Sequence, residues 1–308
     1  MYNWRIRNGL SGFKTPISHI EKDGFYFLKV LEMSQFMSSE SVKDATGKQY
    51  HIGLRSEDIS DKIILVGDPG RVERISDLFE KKRFSTRNRE FVSFTGTYKE
   101  LEMTVLATGI GCDNTEIAVI ELCQLKFPVT IIRCGSCGAL QPEIEIADLV
   151  ISSGALRLEN TSTFFVEEGY PAIASHEIVL ALLKSAAEKK FPFHFGITAT
   201  ASGFYGAQGR KIPGFPVKDA GLFDRLTKQG IKNFEMESST LFTLASLRGF
   251  RAGTVCAVFA SRPKDTFIDP DQKEEAEMKA IRTALDAFVI LSRMDEKKGD
   301  APFWLPDL

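Results

Sequence analysis

Four short segments carry residue types that could hold an anion, a sugar and a planar base. Gly67-Asp68-Pro69-Gly70-Arg71 follows the apolar run KIILVG and precedes Val72, Ile75, Leu78 and Phe79 at helical spacing, so it reads as a strand-to-helix turn. Its backbone N–H groups, with Arg71, suit an oxyanion; taken alone, a tight turn with a solvated arginine is the commoner outcome. Arg133-Cys134-Gly135-Ser136-Cys137-Gly138 closes a second apolar run that begins at Val129 and reads as another strand-to-loop junction. Its glycines permit close backbone approach, Ser136 offers a hydroxyl, and Arg133 supplies fixed charge. Neither segment is a P-loop or a G-x-G-x-x-G fingerprint. Phe204-Tyr205-Gly206-Ala207-Gln208-Gly209-Arg210 combines a ring for stacking, an amide that both donates and accepts, and a guanidinium that only donates. That set suits the edge of a heterocycle, although a solvated surface loop would carry the same residues. In Asn233-Phe234-Glu235-Met236-Glu237-Ser238 two carboxylates flank a methionine. One could accept bonds from a pair of sugar hydroxyls; a carboxylate before a helix is otherwise a cap.

The elements that must position these segments are legible from periodicity. KIILVG (62–67), VTIIRC (129–134), DLVISSGALRL (148–158), HFGITATAS (194–202) and AGTVCAVFA (252–260) read as strands. EFVSFTGTY (90–98) and LEMTVLAT (101–108) read as a hairpin turning at Lys99-Glu100. Helical spacing predicts helices capped by Asn114, beginning at Ser175, spanning about 237–247, and over about 272–294. Strands alternating with helices indicate an α/β fold: a single domain with a twisted, mixed β-sheet flanked by helices. In open sheets of this kind ligands sit beyond the carboxyl ends of the strands. Residues 49–294 form the expected domain, with 1–48 as an extension and 295–308 as a tail. The first twenty residues carry Arg5, Arg7 and Lys14 but no acid, a weak likeness to a transit peptide. A loosely attached extension, or a working start at Met37, is the preferred expectation.

Composition excludes several classes. The chain has 308 residues, 39 basic against 41 acidic, a net charge of −2, so it shows no electrostatic footprint for nucleic acid. Hydrophobic residues at 43% and charged residues at 26% are a globular balance, against disorder. No uncharged apolar run approaches the ~20 residues of a membrane span. Five cysteines, an odd number, favour reduced thiols and a cytoplasmic location. Cys134 and Cys137 form a lone C-x-x-C, for which redox and zinc roles are minor readings.

The ordered set G-D-P-x-R, N-R-E-F (88–91), T-G-I-G (108–111), R-x-G-S-x-G-A-L-Q-P (133–142), F-Y-x-x-Q-x-R (204–210) and N-F-E-M-E-S (233–238) resembles the nucleoside phosphorylase-I family over about residues 50–292. The likeness is nearest to its uridine-cleaving branch. It implies phosphorolysis of uridine, with deoxyuridine or thymidine as further candidates, to the free base and a pentose 1-phosphate in pyrimidine salvage. No cofactor is implied beyond phosphate as co-substrate. The resemblance puts phosphate on Gly67, Arg71, Arg133 and Ser136, with Arg89 from a neighbouring subunit. It puts ribose on Met236 and Glu237, with His51 from the neighbour, and the base on Phe204, Gln208 and Arg210. A homodimer sharing active sites, assembled into a homohexamer, is implied with it. The family's bacterial members hold a monovalent cation between subunits with the glutamate that is Glu90 here. Cys112, Asp113 and Asn114 replace the small Gly-Pro-Ser run found there, which leaves that cation open. Phe259 and Ala260 replace smaller or branched aliphatics beside the 5-position of the base. A purine phosphorylase of the family would place an Asp after the late strand as acid toward N7. This chain reads Ser261-Arg262 there, and arginine cannot act as that acid. A hydrolytic nucleosidase would use water in place of phosphate, against which the three arginines speak. A catalytically silent nucleoside-binding protein could share the same fold.

Overall fold

The computed structural model describes residues 39–306; the expected extension falls largely on residues 1–38, outside the described residues. Among the described residues eleven strands and six α-helices follow one another in the order β1 (Lys62–Val66), α1 (Pro69–Ser76), β2 (Lys81–Asn88), β3 (Phe91–Tyr98), β4 (Leu101–Ala107), α2 (Cys112–Leu125), β5 (Thr130–Ala139), β6 (Leu149–Leu158), β7 (Ala172–Ile173), α3 (His176–Glu188), β8 (Phe193–Ala201), α4 (Leu222–Lys228), β9 (Asn233–Glu235), α5 (Ser238–Arg248), β10 (Arg251–Ser261), β11 (Thr266–Phe267) and α6 (Pro270–Lys298).

All eleven strands join one mixed sheet. β1 lies between β4 and β5, parallel to both, and so is buried on both faces. Its side chains alternate between two cores. Ile64 and Val66 meet Val72 and Ile75 of α1 and Ile281 and Phe288 of α6. Ile63 and Leu65 meet Ala118 and Leu122 of α2 and Leu241 and Phe242 of α5. Phe288 is fully enclosed, so truncating it to alanine would cost about 3–5 kcal/mol. The hairpin is present as expected: β3 pairs antiparallel with β4, and Lys99 and Glu100 both take positive φ in its turn.

Several expectations are corrected. The sheet is not open throughout, because β5 pairs with β10, β10 with β6, β6 with β8, β8 with β9, and β9 with β5, a closed circuit. Residues 133–138 are not a loop; β5 runs on through them to Ala139. A side chain at Gly135 would stand 2.7 Å from the Arg133 guanidinium, so this glycine serves close packing within a strand. Asn114 does not cap α2, whose N-cap is Gly111 at φ 104°, with Asn114 inside the first turn. The edge strand β2 (KKRFSTRN) goes unread in the sequence because most of its residues are charged or polar. The last helix also extends past the expected 272–294: Asp269 caps its start, accepting from the Asp271 N–H, and it ends at Lys298.

Candidate active site

One cavity of about 750 Å³ opens where the carboxyl ends of β1, β4, β8, β9 and β10 meet the middle of β5. At its first end, Asp68 accepts from the Gly70 N–H at 2.9 Å and Pro69 takes the first position of α1, an arrangement suited to starting a helix. This start projects Arg71 inward, 4% exposed, where its Nη1 donates to the Cys134 carbonyl at 3.0 Å and its Nη2 to Glu277 at 2.9 Å.

Arg133 leaves the interior of β5, 5% exposed, and donates from Nε to Glu235 at 3.1 Å and from Nη2 to Glu237. Burial opposes its charge, but Glu237 and then Glu235 outweigh this and hold the guanidinium firmly protonated. The two carboxylates divide the work. Glu235 accepts from the Glu237 and Ser238 N–H groups at 2.9 Å and from Thr200 at 2.5 Å, serving the start of α5. Glu237 accepts from the Gly111 N–H at 2.7 Å and the Met236 N–H at 3.1 Å. Burial pushes the Glu237 carboxyl up, while Arg133 and those amides pull it back.

At the other end, Gln208 is buried and its Oε1 accepts from Arg210 at 2.5 Å. The Arg210 guanidinium lies 3.8 Å from the Phe204 ring centre. Burial, and then the neighbouring Arg262, lower the pKa of Arg210 to about 10, so it stays charged at neutral pH. Arg262 donates to the Gln208 carbonyl at 3.0 Å, tying the end of β10 to this loop.

Ten of the twelve expected site residues therefore line one cavity: Gly67, Arg71, Glu90, Arg133, Ser136, Phe204, Gln208, Arg210, Met236 and Glu237. His51 and Arg89 do not line it. They stand together around Tyr50: Arg89 Nη2 donates to the Tyr50 hydroxyl at 2.5 Å, and the His51 ring packs edge-on against Tyr50. Glu121 of α2 fixes His51 through Nδ1 at 2.6 Å and through backbone N–H groups of His51 and Ile52. Glu90 lines the cavity while Arg89 beside it, at φ 55°, does not. Among the described residues no group of three or more His, Cys, Asp and Glu is placed to hold a metal ion.

The C-x-x-C pair has no redox geometry. Three residues apart in one strand, Cys134 and Cys137 point to opposite faces. Burial pushes the Cys134 thiol up to about 12 and Cys137 well up, so both are inert thiols. Sequence reasoning missed Glu277, Lys273 and Phe267, which also line the cavity. Glu277 is a charged residue on the buried face of a helix beside Ala276, Ala280 and Ile281, and that anomaly was its one local signal.

Comparison with known proteins identifies the family. The model of the Phosphorylase superfamily matches residues 61–290. A uridine phosphorylase of Thermococcus kodakarensis is 43% identical over 273 residues, covering 87% of this chain and 96% of that one. A guanosine phosphorylase of Halorubrum lacusprofundi is 33% identical, covering 79% and 99%. The crystal structure of a Trypanosoma brucei nucleoside phosphorylase that shows uridine phosphorylase activity superposes with a TM-score of 0.74 at 27% identity, covering 79% and 98%. With the matched segment spanning the sheet and the whole cavity, the chain belongs to the phosphorylase superfamily.

Proposed function

We propose that this chain cleaves uridine with inorganic phosphate, giving uracil and ribose 1-phosphate. The observation that carries the reading is the contact between buried Arg133 and buried Glu237 inside a cavity that also holds Arg71 and the Phe204–Gln208–Arg210 loop. Arg71, Arg133, Ser136 and the backbone at Gly67 take the phosphate. Glu237 accepts from the ribose hydroxyls, and Met236 packs against the ring. Because Arg133 touches Glu237, the same guanidinium links the phosphate and sugar ends and sets the nucleophile against C1′.

A phosphate oxygen bonds to C1′ as the C1′–N1 bond breaks, and the electron pair of that bond passes to the pyrimidine, which takes a proton from solvent. Phosphate is already anionic, so no general base is needed to make the nucleophile. The side chains supply preorganised charge: Arg210 faces the charge developing on the base carbonyls, and Gln208 fixes orientation through its donor and acceptor.

His51 and Arg89 serve the cavity of a neighbouring copy in this reading, which is supported by their grouping around Tyr50 and by their absence from their own cavity lining. The unit is then a homodimer with two shared sites, and a hexamer of such pairs keeps the same arrangement. Glu90 remains a candidate ligand for a monovalent cation near the shared boundary. Uridine is favoured over a purine nucleoside because Arg262 follows β10 where a carboxylic acid would be needed, and it is tied to Gln208. No helix among the described residues is long and apolar enough to cross a membrane, in keeping with the proposed cytoplasmic location. Uracil release from uridine should require phosphate or arsenate, and inosine should be a poor substrate. Equal release in buffer free of both anions, or efficient inosine turnover, would overturn the reading.

A further inference from the structure

Glu277 is a carboxylate in the wall of a cavity whose adjoining end is built for an anion. It is 1% exposed, in the second turn of α6. Its Oε1 accepts from Arg71 Nη2 at 2.9 Å and its Oε2 from Arg74 Nη1 at 2.8 Å. Arg74 is partly solvated, and Asp68, which also lines the cavity, stands 3.9 Å from it. Burying a negative charge beside a site for phosphate is costly twice, through desolvation and through repulsion of the substrate. Its buried neighbours on the helix, Ala276, Ala280 and Ile281, are small or apolar and would pack without a carboxylate, while Lys273 one turn earlier lines the cavity.

The compensating gain is geometric. An arginine side chain has several free torsions, and Arg71 here is held at both tips of its fork. The backbone of β5 takes Nη1 through the Cys134 carbonyl, and α6 takes Nη2 through Glu277. Its Nε is buried and has no acceptor among the described residues, so the clamp leaves donor capacity on a guanidinium that lines the cavity. Arg74 satisfies the second carboxylate oxygen, so the Arg71 charge is not cancelled one-for-one.

We propose that Glu277 is a positioning residue for phosphate: it does not touch substrate, but fixes the Arg71 guanidinium in the orientation that receives the anion, with Arg74 orienting the carboxylate. The inference rests on the phosphorolytic reading above. It assigns a function to contacts 206 and 203 residues apart in the chain.

The test uses full-length protein with uridine, varying phosphate and uridine separately, and calorimetry with inorganic phosphate. Glu277→Gln keeps the volume but removes the charge and turns an amide toward one arginine. The phosphate KM and the calorimetric Kd should rise roughly tenfold or more, while the uridine KM and kcat at saturating phosphate stay within about twofold. Arg74→Met, at a partly exposed position that should not threaten folding, should raise the phosphate KM in the same selective way by a smaller factor. If Glu277→Gln fails to fold, Arg74→Met decides alone. An unchanged phosphate KM in the folded variants, or equal losses toward both substrates, would overturn the positioning role. Wild-type protein that makes no ribose 1-phosphate would instead defeat the functional reading beneath it.

Discussion

Mixing two inactive variants tests whether each active site draws on two chains. Arg89→Ala removes a guanidinium that stands with Tyr50 and outside its own chain's cavity. Glu237→Ala removes the carboxylate that Arg133 and the Gly111 and Met236 amides hold inside the cavity. The second variant should still fold, because Glu235 remains on Arg133 at 3.1 Å and no buried charge is left alone. Each variant by itself should be nearly inactive. When equal amounts are unfolded together and refolded, a site is intact only if its body chain keeps Glu237 and its neighbour keeps Arg89. Each condition holds with probability about one half, so about a quarter of wild-type activity should return from random pairing in a two-fold dimer. The same quarter holds in a hexamer of such pairs, since each site still depends on two chains. Uracil release would be the assay, with native mass spectrometry confirming mixed oligomers. No recovery from material shown to be mixed would refute the shared site.

Gln208→Ala and Arg210→Ala should each lower kcat/KM for uridine about ten- to thousandfold, as expected when a selective base contact is lost; losses under twofold would remove both from the base site. Burial pushes the carboxyls of Glu177 and Asp295 up, but bonds from the Trp304 N–H, Arg251 and Lys298 to Glu177, and from Arg251 and Lys298 to Asp295, hold both below their ordinary values. The folded state therefore binds fewer protons, and the stability present near neutrality is lost as pH falls through and below the ordinary carboxylate range. The urea midpoint should drop between pH 7 and about pH 4, and Arg251→Ala should shrink that drop; an undiminished drop would refute the assignment. A chain beginning at Met37 should fold and turn over uridine normally, because every residue assigned to the site lies between His51 and Glu277; loss of folding would show that 1–36 belong to the body.

Much of the architecture was legible because buried strands are dense in apolar residues. The runs at 62–67 and 252–260 give nearly unbroken burial in β1 and β10, a pattern that survives without knowledge of the partners. β2 was not legible for the opposite reason: an edge strand protected by Lys81, Lys82 and Arg83 looks like a solvated loop. The glycines at 135 and 138 suggested a loop because local rules associate glycine with turns. At Gly135 the cause is the Arg133 guanidinium folding back against its own strand, a tertiary event. The same limit explains Glu277. Its partners sit near residue 70, and no spacing rule connects positions two hundred residues apart. Residues read from compact motifs, such as Gln208 and Arg210 or Met236 and Glu237, were recoverable because each pair belongs to one short segment.

The most direct measurement is a 31P spectrum of the reaction mixture. The protein would be incubated with uridine and inorganic phosphate, and the products followed with time. Phosphorolysis predicts a new phosphomonoester resonance from ribose 1-phosphate that grows in step with uracil, with an equal loss of inorganic phosphate. Uracil formed while the inorganic phosphate signal stays constant would mean that water is the nucleophile, and no change in either would mean a silent nucleoside-binding protein; each result would contradict the account.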